Sequence, residues 1–239
     1  MKKLIATTII STFLIIAVTG AVSFSGIIKF SSYNPKNISQ FLKDDLNKKE
    51  LTLGSPVFIR IFKESKALEI WVQNNNQTYQ LYNTYPICNY SGNLGPKLKE
   101  GDKQAPEGFY KVTKSQMNPN STYHLSFNLG YPNKYDKAHD RTGSYLMVHG
   151  NCVSIGCYAM TDEKIEEIYT MVDKALDGGQ KYVPVHIFPF KMTDNNLKQH
   201  SGSKWYSFWL NLKEGYDLFE SNKNVPNVEV KDKKYIVKL

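Results

Sequence analysis

The stretch Ser144-Tyr145-Leu146-Met147-Val148-His149-Gly150-Asn151-Cys152-Val153-Ser154-Ile155-Gly156-Cys157-Tyr158-Ala159-Met160 decides how the rest of the chain is read. Residues 145–148 form a short apolar run, the mark of a buried strand. His149 then sits at the strand's end, where side chains leave a sheet and loops can build a site. Cys157 follows eight residues later. A free thiol, with a pKa of about 8.5, is only slightly ionised at neutral pH, and a neighbouring imidazole can take its proton. Gly156 puts no side chain in the way of a substrate carbonyl. Backbone N–H groups around Cys157, with Ser154 and Gly150 close by, are candidates for holding a tetrahedral oxyanion. By spacing alone the pair suits a satisfied core histidine and an inert buried thiol as well as a nucleophile and its base.

Working back from this stretch, the chain is mostly β. Val57, Ile59 and Ile61 alternate as in a strand, and Leu68, Ile70 and Val72 repeat the pattern after a charged break. Asn74, Asn75 and Asn76 supply a turn, residues 79–88 read as the next strand, and Ser91-Gly92-Asn93-Leu94-Gly95-Pro96-Lys97 opens a loop running to Pro106. Residues 109–112 and 124–129 are further strands.

Working forward, Thr161 is placed to cap a helix that has Asp162 and Glu163 in its first turn and Ile165, Ile168, Val172, Ala175 and Leu176 on one face. Gly178 and Gly179 end it, and residues 182–188 return as a strand. Trp205, Phe208, Trp209 and Leu212 follow helical spacing, with Gly215 placed to stop that helix. This aromatic stripe is expected to pack against the β domain. Residues 222–239 read as a loop and one final strand.

The central stretch resembles the signature of L,D-transpeptidases with a YkuD-type catalytic domain, in which a His-Gly precedes a Ser-His-Gly-Cys element. It looks most like the YafK-like branch, with further matches at Ala105-Pro106-Glu107-Gly108-Phe109-Tyr110, Tyr123-His124-Leu125-Ser126-Phe127-Asn128, Gly130-Tyr131-Pro132, Arg141-Thr142-Gly143-Ser144, Phe208-Trp209 and Gly215-Tyr216-Asp217. The likeness runs from about Leu51 almost to the C-terminus. It implies an α+β, mainly β fold: a YkuD-like mixed β-sandwich with a helix after the cysteine, spanning residues 51–190, and a helical C-terminal extension, 191–239, packed on it. It also implies a peptidoglycan enzyme whose nucleophile is Cys157 and whose base is His149, acting on wall stem peptides or on an envelope lipoprotein attached to them. The acceptor is an amine in cross-linking and water in peptidase or amidase action. A non-catalytic wall-binding module is the competing reading, and retention of both His149 and Cys157 speaks against it.

The chain also departs from the family pattern. Ile155 stands where most members carry the histidine of Ser-His-Gly-Cys, and Ala159 where an arginine follows the cysteine. With that arginine gone, Arg141 is the candidate cation for a substrate carboxylate, because a guanidinium binds carboxylate in a bidentate fork. Tyr158 is the other candidate substrate contact, and His124 a candidate for orienting His149 or a bound peptide. No cofactor is expected. His124, His149, Cys152 and Cys157 are acceptable zinc ligands by type, but their spacing matches no paired zinc pattern. His139, His186 and His200 have no such context.

Lys2 and Lys3 precede the uncharged residues 4–28, whose centre, 9–22, is strongly apolar. Residues 1–28 are therefore expected to be an export signal or an uncleaved membrane anchor, followed by a polar linker over 29–50. The protein is then expected in the periplasm or cell envelope, touching membrane only through that segment. A net charge of +8 suits anionic envelope polymers in an exported protein, and no aromatic-interleaved basic motif points to nucleic acid. Three cysteines in an oxidising compartment leave one unpaired. If Cys157 is the nucleophile, Cys88 and Cys152 are either bridged or two free buried thiols.

Overall fold

The computed structural model describes residues 33–239, so the expected export segment lies outside the described residues. The first element is a helix, α1 (Pro35–Asn47), in place of the expected linker. Asn34 caps it by accepting from Lys36 N–H and Asn37 N–H, Pro35 starts it with a preset φ, and Leu42 and Leu46 turn inward from its apolar face. The segment belongs to the folded body because its i, i+4 leucines join the main core.

Five strands make one sheet in the order β3-β2-β1-β10-β5: β1 (Val57–Phe62), β2 (Ala67–Gln73), β3 (Tyr79–Pro86), β5 (Gly108–Val112) and β10 (Val183–Phe188). It is mixed, since β1 runs parallel to β10 and the remaining pairs are antiparallel. A second five-stranded sheet has the order β4-β9-β8-β7-β6, from β4 (Asn89–Tyr90), β6 (Met117–Ser121), β7 (His124–Asn128), β8 (Met147–His149) and β9 (Tyr158–Ala159). Here β8 and β9 are parallel. Inward residues of both sheets, Ile59, Ile70, Val185 and Tyr110 from the first and Leu125, Phe127, Val148 and Tyr158 from the second, meet in one core with Ile165, Ile168 and Val172 of α3 (Asp162–Asp177). Thr161 accepts from Lys164 N–H at the start of α3.

The other face of the first sheet is also covered, which is why β1 and β10 are buried along their whole length. After the short helices α2 (Lys134–Ala138) and α4 (Asp194–Gln199), α5 (Tyr206–Asn222) lays Trp209, Leu212 and Phe219 against this face. Each fully buried side chain of this kind stabilises by roughly 1.5–3 kcal/mol. The helix runs through Gly215 instead of stopping there. A Cβ at that position would lie 2.7 Å from Phe109 Cζ, so the glycine admits close packing and does not act as a cap. Arg60 ties α5 to the sheet, bonding Glu69 through Nε and Nη2 and Glu220 through Nη1. Residues beyond α5 form a hairpin, β11 (Asn227–Lys231) and β12 (Lys234–Lys238), where one strand was expected. Its two-residue turn places Asp232 and Lys233 at φ 49° and 60°, the left-handed geometry that matches strand twist. Among the described residues no helix is long and apolar enough to cross a membrane.

Candidate active site

Strand register brings the two candidate residues together. Val148 pairs with Tyr158 and His149 with Ala159. Because Tyr158 and Val148 face the core, alternation turns His149 and Ala159, and Cys157 just before β9, to the opposite side. Strands about 4.8 Å apart and a two-residue offset place the Cα atoms of His149 and Cys157 diagonally, about 8 Å apart, with side chains on one face.

His149 is buried, and its Nδ1 lies 2.7 Å from Gly150 O. A carbonyl only accepts, so Nδ1 carries the proton and Nε2 presents a lone pair. Burial lowers the imidazole's pKa, opposed by the Gly150 bond. Cys157 is a free thiol. Its Sγ accepts from Met147 N–H at 3.4 Å and its S–H donates to Tyr145 O at 3.7 Å. Burial raises its pKa, while the Met147 N–H and the charge of Lys97 pull the other way. The resting pair is thus a neutral imidazole and a protonated thiol, and no hydrogen bond joins them. A rotation of Cys157 from the Tyr145 carbonyl toward Nε2 would bring base and nucleophile together.

The loop between them is held at many points. Met160 N–H donates to His149 O, Cys152 N–H to Met160 O, and Asn151 N–H to Asp162 Oδ1 at the start of α3. Cys152 is bridged to Cys88, with Cα atoms 5.2 Å apart, which resolves the alternatives for these two thiols and removes Cys152 from any ligand set. Asn151, Cys152 and Tyr145 all have left-handed φ, 66°, 49° and 53°. Such strain in non-glycine residues persists only where the surroundings impose it.

Several sequence expectations change here. Gly156 N–H donates to Ser91 Oγ at 2.6 Å and Cys157 N–H to Ser154 Oγ at 3.0 Å, so both prospective oxyanion donors are already engaged. Ser154 also donates to Cys157 O, which makes it the clamp on the cysteine's backbone. Gly156 is required by its φ of 108°, and Gly150 because a Cβ would meet Asp162 Oδ1 at 2.5 Å. Arg141 is not free for a substrate: it is buried, paired with Asp136 at 2.8 Å and packed over the rings of Tyr135 and Phe208. Tyr158 is not a substrate contact either, since its ring is in the core and its hydroxyl donates to Pro106 O. His124 does not orient His149; its Nε2 pairs with Glu166 Oε1 of α3 at 2.7 Å.

The family profile described as L,D-transpeptidase catalytic domain matches residues 56–187. The chain is 48% identical over 216 residues, 90% of its length and 85% of the relative's, to the Escherichia coli (strain K12) protein named "Putative L,D-transpeptidase YafK". It belongs to the L,D-transpeptidase family. The same identity and coverage hold for YafK of Escherichia coli O157:H7. Among solved structures, it is similar to the helical cell shape determining protein Pgp2 of Campylobacter jejuni, at 18% identity and a TM-score of 0.46 over 81% of this chain and 80% of that one. It is similar also to Bd1075 of Bdellovibrio bacteriovorus, at 18% identity and a TM-score of 0.41 over 74% and 78%.

Where L,D-transpeptidases usually carry a second histidine, Ile155 is 76% exposed, so its side chain supplies no partner to the thiol. Ala159 is buried and pairs with His149 from the neighbouring strand of the same sheet. Sequence reasoning missed four neighbours. Tyr123 lays its ring on His149, with centroids 4.9 Å apart. Ser126 pairs directly opposite His149 and has a buried hydroxyl with no partner. Lys97, held by Asp102 and Lys99 O, supplies the cation whose field reaches Cys157. Ser91 holds Gly156. Only Ser126 carried a signal, the two-residue period of β7 set against β8; Tyr123 precedes β7, and the left-handed His124, at φ 68°, breaks the alternation before it.

Proposed function

We propose that this protein is an exported peptidoglycan-modifying cysteine enzyme that transfers the acyl group of a wall peptide through a thioester on Cys157. The observation that carries this reading is the placement of a free thiol and a base-competent imidazole on one face of adjacent parallel strands. Membership in the L,D-transpeptidase family supports wall stem peptides as the substrate.

In the first half-reaction His149 Nε2 takes the Cys157 proton as sulfur attacks an amide carbonyl. The C–N bond breaks, the imidazolium protonates the departing amine, and a thioester remains. In the second half, an amine or water attacks the thioester, His149 takes the acceptor's proton, and Cys157 leaves and is reprotonated. An amine acceptor yields a cross-link; water releases a wall-linked peptide or lipoprotein. The missing cation at Ala159 and the short segment from His149 to Cys157 incline the reading toward water, because an acceptor amine needs an oriented site whereas water needs only access and a base. Export rests on Lys2, Lys3 and the uncharged residues 4–28 with their apolar centre, 9–22.

The test is incubation of the purified protein with intact peptidoglycan and mass analysis of the fragments. New joined peptides or released peptide ends, lost in Cys157→Ala, support the proposal. Unchanged peptidoglycan rejects it.

A further inference from the structure

On the far side of the molecule from Cys157, the outer face of the first sheet and the C-terminal hairpin enclose a slot of about 950 Å³, within the range of ligand pockets. Its sheet side carries His186, Lys111 and Tyr182, its hairpin side Val228 and Val230. His186 is buried between Phe58 and Phe109, with ring centroids 4.8 and 4.4 Å away, and its Nδ1 has no partner. A buried polar atom left unpaired costs free energy and calls for a functional account.

Two more observations define what the slot would take. Lys111, Lys134 and Lys181 stand exposed around it, and none forms an ion pair among the described residues. Glu229, on the hairpin side, is the opposing charge. In addition, β5 is the edge strand of its sheet. Phe109 N–H donates to Tyr235 Oη and Phe109 O accepts from Asn133 Nδ2, so the polar groups of Phe109 point off the sheet edge. The two-residue period sends the N–H and C=O of Lys111 the same way. Neither has a partner among the hydrogen bonds outside the β ladder of the described residues.

We propose that this slot is a second binding site, separate from the thiol, for an extended acidic peptide that pairs its backbone with the β5 edge at Lys111. Carboxylates would meet Lys111, Lys134 and Lys181, and the apolar side chains alternating with them would meet Val228 and Val230 of the hairpin. His186 would give or accept one hydrogen bond. The edge-facing N–H and C=O of Lys111 favour a peptide over an acidic glycan, which has no main-chain groups to pair with them.

The probe is fluorescein-labelled acetyl-Val-Glu-Val-Glu-Val-amide, titrated by anisotropy against the full chain carrying Cys157→Ala. Saturable binding is expected, weakened at least about tenfold by Lys111→Glu with Lys181→Glu and weakened as strongly by N-methylation of the peptide amides facing β5. His186→Phe should weaken it by a smaller factor. In the wild-type chain the peptide should leave the rate of Cys157 alkylation by iodoacetamide unchanged. The proposal is overturned by no saturable binding, by equal binding of the lysine-substituted peptide or of polygalacturonate, by indifference to the lysine variants or to N-methylation, or by protection of the thiol.

Discussion

Tyr123 covers His149: their ring centroids are 4.9 Å apart at an interplanar angle of 36°, and Tyr123 O accepts from Gly150 N–H at 3.0 Å. The tyrosine is itself 44% exposed while the histidine is only 3% exposed, so the ring acts as the imidazole's cover toward solvent. Burial disfavours the charged imidazolium and lowers the His149 pKa. Tyr123→Ala should therefore raise that pKa toward 6.5 and move the acid limb of the pH–rate profile to higher pH. Tyr123→Phe, which keeps the ring, should leave the limb in place. An unmoved limb in Tyr123→Ala would mean that other groups desolvate His149.

The resting protonation states predict a broad plateau. His149 is lowered from 6.5 and Cys157 raised from 9.0, so thiol and neutral imidazole coexist across an interval wider than pH 6.5 to 9.0. Activity should rise with pH as His149 deprotonates, stay flat, and change again only when the thiol ionises. His149→Gln should keep its circular dichroism spectrum but lose at least about 10²-fold in turnover. A narrow bell centred near neutrality would instead indicate an ion pair formed before substrate binds.

The longer strands, the Thr161 cap and the His149–Cys157 pair were legible because period-2 alternation, capping chemistry and a family signature are local, whereas β4, β6, β9 and one strand of the C-terminal hairpin were not. What failed depended on distant partners. Arg141 looked free until Asp136 and the rings of Tyr135 and Phe208 were seen around it, and the Gly156 N–H until Ser91, 65 residues away, took it. Gly215 reads as a stop signal unless Phe109 is known to lie against it. The first helix is a different failure: Asn34-Pro35 and the spacing of Ile38, Leu42 and Leu46 were in the sequence, outweighed by the surrounding polar residues.

The Cys88–Cys152 bridge closes a loop of sequence separation 64 and fastens the segment between His149 and Cys157 to the strand region before β4. Chain entropy alone assigns a closure of that length about 4 kcal/mol. Cys88→Ser with Cys152→Ser should lower the denaturant midpoint and also reduce turnover, because Asn151 and Cys152 lose a constraint on their left-handed backbone. Reduced stability with full turnover below the melting range would confine the bridge to a structural role.

His186 should make the fold acid-sensitive. Burial, reinforced by the charges of Arg60 and Lys111, holds its pKa at about 3 against 6.5 for the free group. Between those values the unfolded chain binds the proton and the folded chain does not. The neutral histidine's stability advantage is therefore complete above pH 6.5 and is lost as pH falls toward 3, at up to about 1.4 kcal/mol per pH unit. His186→Phe should flatten that slope in urea titrations between those pH values. An unchanged slope would assign the acid sensitivity to other groups.

The direction of the second half-reaction is decided beside the thioester. Ile155 points to solvent and Ala159 is buried without charge, so neither offers a second acceptor peptide a cation or a hydrogen-bonding side chain. Water makes smaller demands, needing access and the Nε2 lone pair of His149. With a donor muropeptide and an excess of isotopically labelled acceptor amine, mass spectrometry should find mainly unlabelled, hydrolysed product. Joined product should stay minor and rise only in simple proportion to acceptor concentration, without saturating. Predominant incorporation of label into joined peptides, saturating with acceptor, would overturn this expectation and make cross-linking the main activity.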